Sequence, residues 1–210
     1  MKVAVGTLTT VAILAVGLPL AILTYVHFAW AGPDVRQESK KAEAQRRHTS
    51  VASMMDRSLA TVAGAAPHAT RLASAIRDYC DNEVTSFGAK PQMRCSRTVT
   101  VYLAFDGDQA EVERAWAKSL AVADWTWSDS MITYQRFGSR VAGYPAVVVT
   151  WSTRPQPPYV AGNFAKGTPD KDTHDQVTLE QRPVDVAKLY QDAYVRHRYV
   201  ADLEMSDHYY

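Results

Sequence analysis

Two histidines near the end of the chain are the residues with the clearest capacity for catalysis. A histidine acts as a general base when an acid orients it and a hydroxyl group lies within hydrogen-bonding reach. His197 and His208 flank a segment that contains Asp202 and Ser206. The sequence has no Gly-x-Ser-x-Gly or similar nucleophile motif. We therefore expect no catalytic triad and assign no catalytic residue.

A second group of polar residues forms a short acidic segment. It consists of Asp170, Asp172, His174 and Asp175. Carboxylate oxygens bind calcium, and a histidine beside carboxylates can bind a transition metal. The spacing differs from the Asp-x-Asp-x-Asp-Gly pattern of calcium loops, so we interpret the segment as a solvated loop and expect no metal.

Asp106 and Asp108 flank Gly107 directly after a predicted strand, where enzymes often place carboxylates. A turn followed by a helix N-cap explains both residues, since Asp108 and Glu111 have the spacing of a capping box. The sequence also lacks a Gly-x-Gly-x-x-Gly motif, a P-loop and a His-Glu-x-x-His motif. We therefore expect no cofactor.

Cys80 and Cys95 are the only cysteines. An even pair across a short loop predicts a disulfide if the domain is exported, and this loop length corresponds to about 3 kcal/mol of stabilisation. The absence of a Cys-x-x-Cys motif argues against a redox site. We expect Cys80 at the end of a helix and Cys95 at the start of a strand.

The N-terminal segment has the composition of a membrane span. No Asp, Glu, Lys or Arg lies between Lys2 and Asp34. A bilayer span needs about 20 predominantly apolar residues, and Val11–Trp30 alone supplies them. We predict a transmembrane helix that contacts the lipid bilayer through residues 3–30, within an anchor at 1–33.

The alternative for this segment is a cleaved signal peptide. Ala29-Trp30-Ala31 has the small-x-small pattern of a cleavage site, which would release a secreted soluble protein after Ala31. The apolar run is much longer than the roughly 7–15 residues of a signal peptide core. The sequence therefore favours an uncleaved signal-anchor.

The orientation of the anchor rests on two conflicting signals. Basic residues follow the span at Arg36, Lys40, Lys41, Arg46 and Arg47. The positive-inside rule alone places the following domain in the cytoplasm. The short N-terminus with its single Lys2 and the cysteine pair argue for export. We expect a single-pass cell-membrane protein with an extracytoplasmic C-terminal domain.

Residues 34–66 are predicted to form a helical stalk. Residues 37–47 are charged on all sides and can form local ion pairs. An apolar stripe at helical spacing then follows at Val51, Met55, Leu59 and Val62. The stripe is too short for a coiled coil, so we expect the helix to dock on the domain.

Residues 67–210 are predicted to form the soluble domain. We expect a second helix at 67–82 and a strand at 97–105, in which Val99, Val101 and Leu103 alternate with polar residues. The further expected elements are a helix at 109–123, strands at 131–137 and 146–152, a long irregular loop at 153–182, a helix at 184–191 and a strand at 199–206.

This order predicts an α+β fold. From residue 97 it is βαββαβ, the arrangement of a ferredoxin-like sandwich, with an antiparallel sheet and helices on one face. The alternative is an NTF2-like cone, in which N-terminal helices lie against a curved sheet. The helix at 109–123 fits the cone poorly.

The composition of the chain argues against some classes of function. The net charge of +1 provides no basic surface for nucleic acid, so we expect no nucleic-acid partner. The Ala-, Arg- and Asp-rich composition suggests a bacterium with a GC-rich genome. We expect a non-enzymatic binding or assembly module, such as an accessory subunit of a cell-envelope complex with a protein partner. The alternative is an envelope-associated hydrolase with a site near loop 153–182.

Overall fold

The computed structural model describes residues 32–83, 90–134, 146–153 and 175–210. The predicted membrane span at 3–30 lies outside these residues, as does most of the predicted long loop. Within the described ranges, no helix combines the length and apolar character needed to cross a membrane.

The described residues contain four helices and seven strands. The helices are α1 (Val35–Glu38), α2 (Ala42–Gly64), α3 (Gln109–Val122) and α4 (Val186–Tyr194). The strands are β1 (Thr70–Glu83), β2 (Gln92–Phe105), β3 (Trp125–Ser128), β4 (Met131–Tyr134), β5 (Ala146–Thr153), β6 (Gln176–Arg182) and β7 (Tyr199–His208). The fold is therefore α+β, as predicted.

The strands form one open sheet in the order β3-β4-β5-β7-β2-β1-β6. Every neighbouring pair is antiparallel. The sheet thus has seven strands, and the four-stranded βαββαβ arrangement is not the one that the described residues adopt. The predicted strand at 97–105 is central, since β2 pairs with β1 and with β7.

The predicted helix at 67–82 is wrong, because this segment is strand β1. Ile76, Asp78 and Cys80 alternate toward one face, and the polar Asp78 interrupts the apolar alternation that would identify a strand. Leu72 and Ala75 face the opposite side, which is also covered. The long pairing of this segment with β2 therefore determines its structure, although the spacing of its apolar residues resembles that of a helix.

Two further strands were not expected. β6 occupies the end of the segment 153–182, which the sequence predicted to be irregular, and it pairs with β1. β3 follows α3 directly and pairs with β4. The predicted helical stalk at 34–66 consists of two helices, α1 and α2, which are separated around Ser39. The predictions of α3, α4, β5 and β7 are confirmed within a few residues.

Helices cover both faces of the sheet, so the prediction that they lie on one face is wrong. Along β2, Val99, Val101 and Leu103 face a core that α2 and α3 complete. Tyr102 and Ala104 face the opposite side and pack against α4. A strand covered on both faces buries successive residues, as in the second half of β2.

The disulfide between Cys80 and Cys95 is present. The two residues are direct partners across β1 and β2, with Cα atoms 4.0 Å apart. Both lie within strands and are fully buried beside Val35 and Tyr209. The bond joins two adjacent strands, and not a helix to a strand.

Candidate functional site

The pairing of β2 with β7 brings two of the predicted polar residues together. Phe105 and Tyr199 are partners in this pairing, so the residue after β2 lies beside the residues before β7. As a result, Asp106 Oδ2 lies 3.0 Å from His197 Nδ1. The carboxylate therefore orients the imidazole ring, as an acid does in a general-base pair.

Backbone contacts hold Asp106 in place. Its Oδ1 accepts a hydrogen bond of 3.2 Å from the backbone N–H of Arg198. The Arg198 guanidinium in turn donates to the Gly107 carbonyl at 3.2 Å. When His197 donates its Nδ1–H to Asp106, Nε2 is left with a lone pair that can accept a hydrogen bond.

These groups border a cleft with a volume of about 560 Å³. Its walls come from the β2–α3 turn, the end of β5, the end of α4 and the start of β7. The lining residues are Gly107, Asp108, Gln109, Thr153, Tyr194, His197, Arg198 and Tyr199. The volume falls within the range of small-molecule sites, roughly 300–1,000 Å³.

Tyr199 lines this cleft and carries a buried hydroxyl group. Its side chain is 2% exposed, and its Oη has no hydrogen-bond partner among the described residues. The ring stacks on Phe105 with centroids 5.8 Å apart. Burial raises the pKa of Tyr199, so the hydroxyl stays protonated and can donate to a ligand. A buried hydroxyl without a partner costs free energy that a ligand acceptor would recover.

Asp108 has the structural role that the sequence predicted. It is the N-cap of α3, and its Oδ1 accepts the backbone N–H of Glu111 at 3.0 Å. Asp108 also lines the cleft.

The other predicted residues lie elsewhere. Asp202 accepts a hydrogen bond from Tyr190 on the α4 face of the sheet, and burial raises the pKa of this carboxyl group to about 6. Ser206 bonds to Thr98 on an exposed surface, and His208 ends β7. His197, Asp202 and Ser206 therefore do not form a triad.

The acidic segment is only partly described. Asp175 accepts a hydrogen bond of 3.0 Å from Asn82, whereas residues 170–174 lie outside the described residues. Across the described ranges, no group of three or more His, Cys, Asp or Glu residues has a metal-binding arrangement.

The sequence interpretation missed the relationship between Asp106 and His197, although it singled out both residues. It also missed Arg198, Tyr199 and Thr153. The available signal was positional: Asp106 follows the clearest strand and His197 precedes the last strand. Adjacent antiparallel strands place such residues at the same edge, but the sequence alone does not establish that these strands pair.

No protein-family model, curated protein sequence or solved structure shows a significant match to this chain. The chemistry of the site therefore rests on its own geometry. An oriented imidazole, a guanidinium and a protonated phenol converge on one cleft, and together they can bind a polar group that both accepts and donates hydrogen bonds.

Proposed function

We propose that this protein is a membrane-anchored extracytoplasmic binding module that holds a polar ligand, or a polar group of a protein partner, in the His197 cleft. The observation that carries the proposal is that Tyr199, which lines the cleft, has a buried hydroxyl group without a partner among the described residues. His197, oriented by Asp106, supplies a second directional contact beside it.

Binding fits the cleft better than covalent catalysis. The hydroxyl groups along its wall belong to Thr153, Tyr194 and Tyr199. A raised pKa disfavours the phenolate of Tyr199, which would be the nucleophilic form. The carboxylate of Asp108 is engaged in capping α3.

The second candidate is a hydrolase that uses the same cleft, and the His197–Asp106 contact favours it. A water molecule activated by His197 would then be the nucleophile. Turnover of chromogenic ester, phosphoester and glycoside substrates distinguishes the two candidates. Hydrolysis by the native protein that disappears in His197→Gln would favour the hydrolase and overturn the binding proposal.

The location of the domain outside the cytoplasm is supported by the Cys80–Cys95 disulfide, because such bonds persist mainly in oxidising compartments. Residues 3–30 supply the span in this proposal. The native protein should remain in the membrane fraction after alkaline carbonate washing and should keep Met1. A soluble protein that begins at Gly32 would instead indicate secretion after cleavage at Ala31.

The packing of α2 along the sheet also concerns the choice between the two predicted fold types. Met55, Leu59 and Val62 place an N-terminal helix against one face of the sheet. This packing supports the NTF2-like alternative over the ferredoxin-like sandwich, and a measured sheet curvature in an experimental structure would test it.

The partner is identified by crosslinking in native membranes, followed by detergent solubilisation and mass spectrometry. Tyr199→Phe removes the unpaired hydroxyl group and keeps the ring, so it should lower the yield of the crosslinked partner without a loss of stability. His208→Gln is the control, because His208 lies at the end of β7 and does not line the cleft. Equal yields from wild type, Tyr199→Phe and His197→Gln would overturn the cleft as the binding site.

A further inference from the structure

A second cavity, of about 350 Å³, lies between α2 and the sheet, and the proposed function does not use it. It runs along β1 and β2 from the Arg97 end toward Arg71, with β6 at its outer edge. The lining residues are Ala52, Asp56, Leu59, Ala60, Arg71, Ser74, Ile76, Arg97, Val99, Val101, Glu180 and Arg182. We call this cavity the α2 groove.

The floor of the α2 groove is apolar. Ile76, Val99 and Val101 are buried side chains of adjacent strands, and Leu59 approaches from α2. The other lining residues of α2 include Ala52 and Ala60, whose small side chains leave space above the floor. This floor accommodates a short aliphatic or aromatic group, since burying apolar surface contributes about 25 cal/mol per Å².

Arg97 lies at one end of the α2 groove and is 2% exposed. Its Nη1 donates to Asp78 Oδ2 at 2.8 Å and to Glu180 Oε2 at 2.7 Å. Its Nε–H has no hydrogen-bond partner among the described residues. A buried guanidinium donor without an acceptor is costly, so this position favours a ligand oxygen.

The carboxylates on the sheet side of the groove are already engaged. Glu180 contacts Arg97 through Oε2 and Arg182 through Oε1, the latter at 3.3 Å. Asp78 accepts from Arg97 and from Tyr209. Guanidinium donors therefore exceed carboxylate acceptors on the sheet side of the groove.

The lining as a whole is also cationic, with three arginines and two carboxylates. The Arg71 side chain forms no hydrogen bond or ion pair with any described residue and is exposed at the rim. Arg71, whose side chain has no partner among the described residues, and the buried Arg97 Nε–H lie at opposite ends of the groove, and each favours an anionic oxygen ligand.

We propose that the α2 groove binds a small carboxylate with a short apolar body. The carboxylate accepts hydrogen bonds from arginine, and the body lies on Ile76, Val99 and Val101. The groove is separate from the His197 cleft, so this inference does not depend on the proposed function. A ligand of this chemistry has two sources, a free metabolite or a fatty acid released from a bilayer. Affinities for carboxylates of increasing chain length distinguish between the two sources.

The test is isothermal titration calorimetry with the full chain in nanodiscs and empty nanodiscs as the blank. The probes are the carboxylates from butanoate to dodecanoate, together with hexanol and hexylamine. Hexanoate should bind at least about tenfold more tightly than hexanol or hexylamine, because only the carboxylate is an anionic acceptor for the arginine donors. If the natural ligand is a free metabolite, affinity should stop rising at the chain length that outgrows the groove. If it is a fatty acid, affinity should stop rising only at the longest chains.

Two variants and one control locate the site. Arg71→Gln should weaken hexanoate binding by about tenfold. Ala60→Phe, which fills the groove from α2, should abolish binding while the protein melts normally. Arg57→Gln is the matched control, since Arg57 is an exposed arginine of α2 outside the groove lining; it should bind hexanoate like the wild type.

Four results would overturn the proposal. They are no binding of any carboxylate to the wild type, equal affinity for hexanol and hexanoate, an equal effect of Arg57→Gln and Arg71→Gln, and unchanged binding in Ala60→Phe. An affinity that rises steadily to dodecanoate in wild type and in Ala60→Phe alike would show partition into the bilayer.

Discussion

Asp78 and Arg97 are direct partners across β1 and β2, and their side chains form an ion pair of 2.8 Å that is almost completely buried. Glu180 of β6 accepts a further hydrogen bond from Arg97, and Tyr209 near the C-terminus donates one to Asp78. His48 Nε2 of α2 approaches Asp78 Oδ2 at 3.1 Å without hydrogen-bond geometry. The buried charges therefore connect three strands, one helix and the chain terminus.

Removing one partner of this pair should strongly destabilise the domain. Asp78→Ala leaves Arg97 buried beside a single carboxylate, and breaking such a pair costs about 3–5 kcal/mol. The measurement is the free energy of unfolding from urea denaturation. Glu83→Ala is the control, because it breaks the partly exposed pair with Arg94 and should have little effect. Equal losses in the two variants would contradict a special role for the buried pair.

The elements that the sequence predicted correctly have strong local signals. β2 alternates apolar and polar residues over most of its length, and α3 begins with a capping aspartate. The cysteine pair could also be predicted, because the chain has only two cysteines and the loop between them is short.

The missed elements depend on contacts distant in sequence. β1 has a buried aspartate where a strand pattern requires an apolar residue, and that aspartate is acceptable only because Arg97 lies opposite. β6 is an edge strand with charged residues, among them Glu180 and Arg182, so it has little apolar signal. The contact between Asp106 and His197 spans 91 residues and depends on the β2–β7 pairing.

The register of β2 gives the second prediction. Val101 is 2% exposed in the core beneath α2, whereas Val122 at the end of α3 is 88% exposed. Val101→Asp buries an unpaired charge, which should cost several kcal/mol and abolish cooperative unfolding. Val122→Asp is the same substitution in solvent and should melt like the wild type. Thermal melts followed by near-UV circular dichroism make the comparison, and normal melting of Val101→Asp would show that the register of β2 is wrong.

The third prediction concerns the pH dependence of stability. Burial raises the pKa of Asp202 to about 6, above the value of about 3.9 in an unfolded chain. The native state therefore binds more protons between about pH 4 and pH 6, and the contribution of Asp202 to stability falls as pH rises through this range. The loss is at most roughly 3 kcal/mol.

Asp202→Asn tests this contribution directly. Asparagine is neutral, and its Oδ1 can still accept the hydrogen bond from Tyr190. The variant should match the wild type near pH 4 and should be more stable by about 1–3 kcal/mol at pH 8. Urea denaturation across this range provides the measurement, with Asp192→Asn on the exposed side of α4 as the control. A variant that is less stable than the wild type at pH 8 would show that the charged form of Asp202 is the stabilising one.

The last prediction connects the Cys80–Cys95 bond to stability and compartment. The cysteines are 15 residues apart, and closing a loop of this length corresponds to about 3 kcal/mol in the chain-entropy view. Reduction, or replacement of both cysteines by alanine, should lower the free energy of unfolding by about that amount. In protein prepared from its own host and alkylated without reduction, mass spectrometry should find both residues unmodified and linked. Free thiols at both positions would mean a reducing compartment, and the basic residues after the predicted span would then place the domain in the cytoplasm.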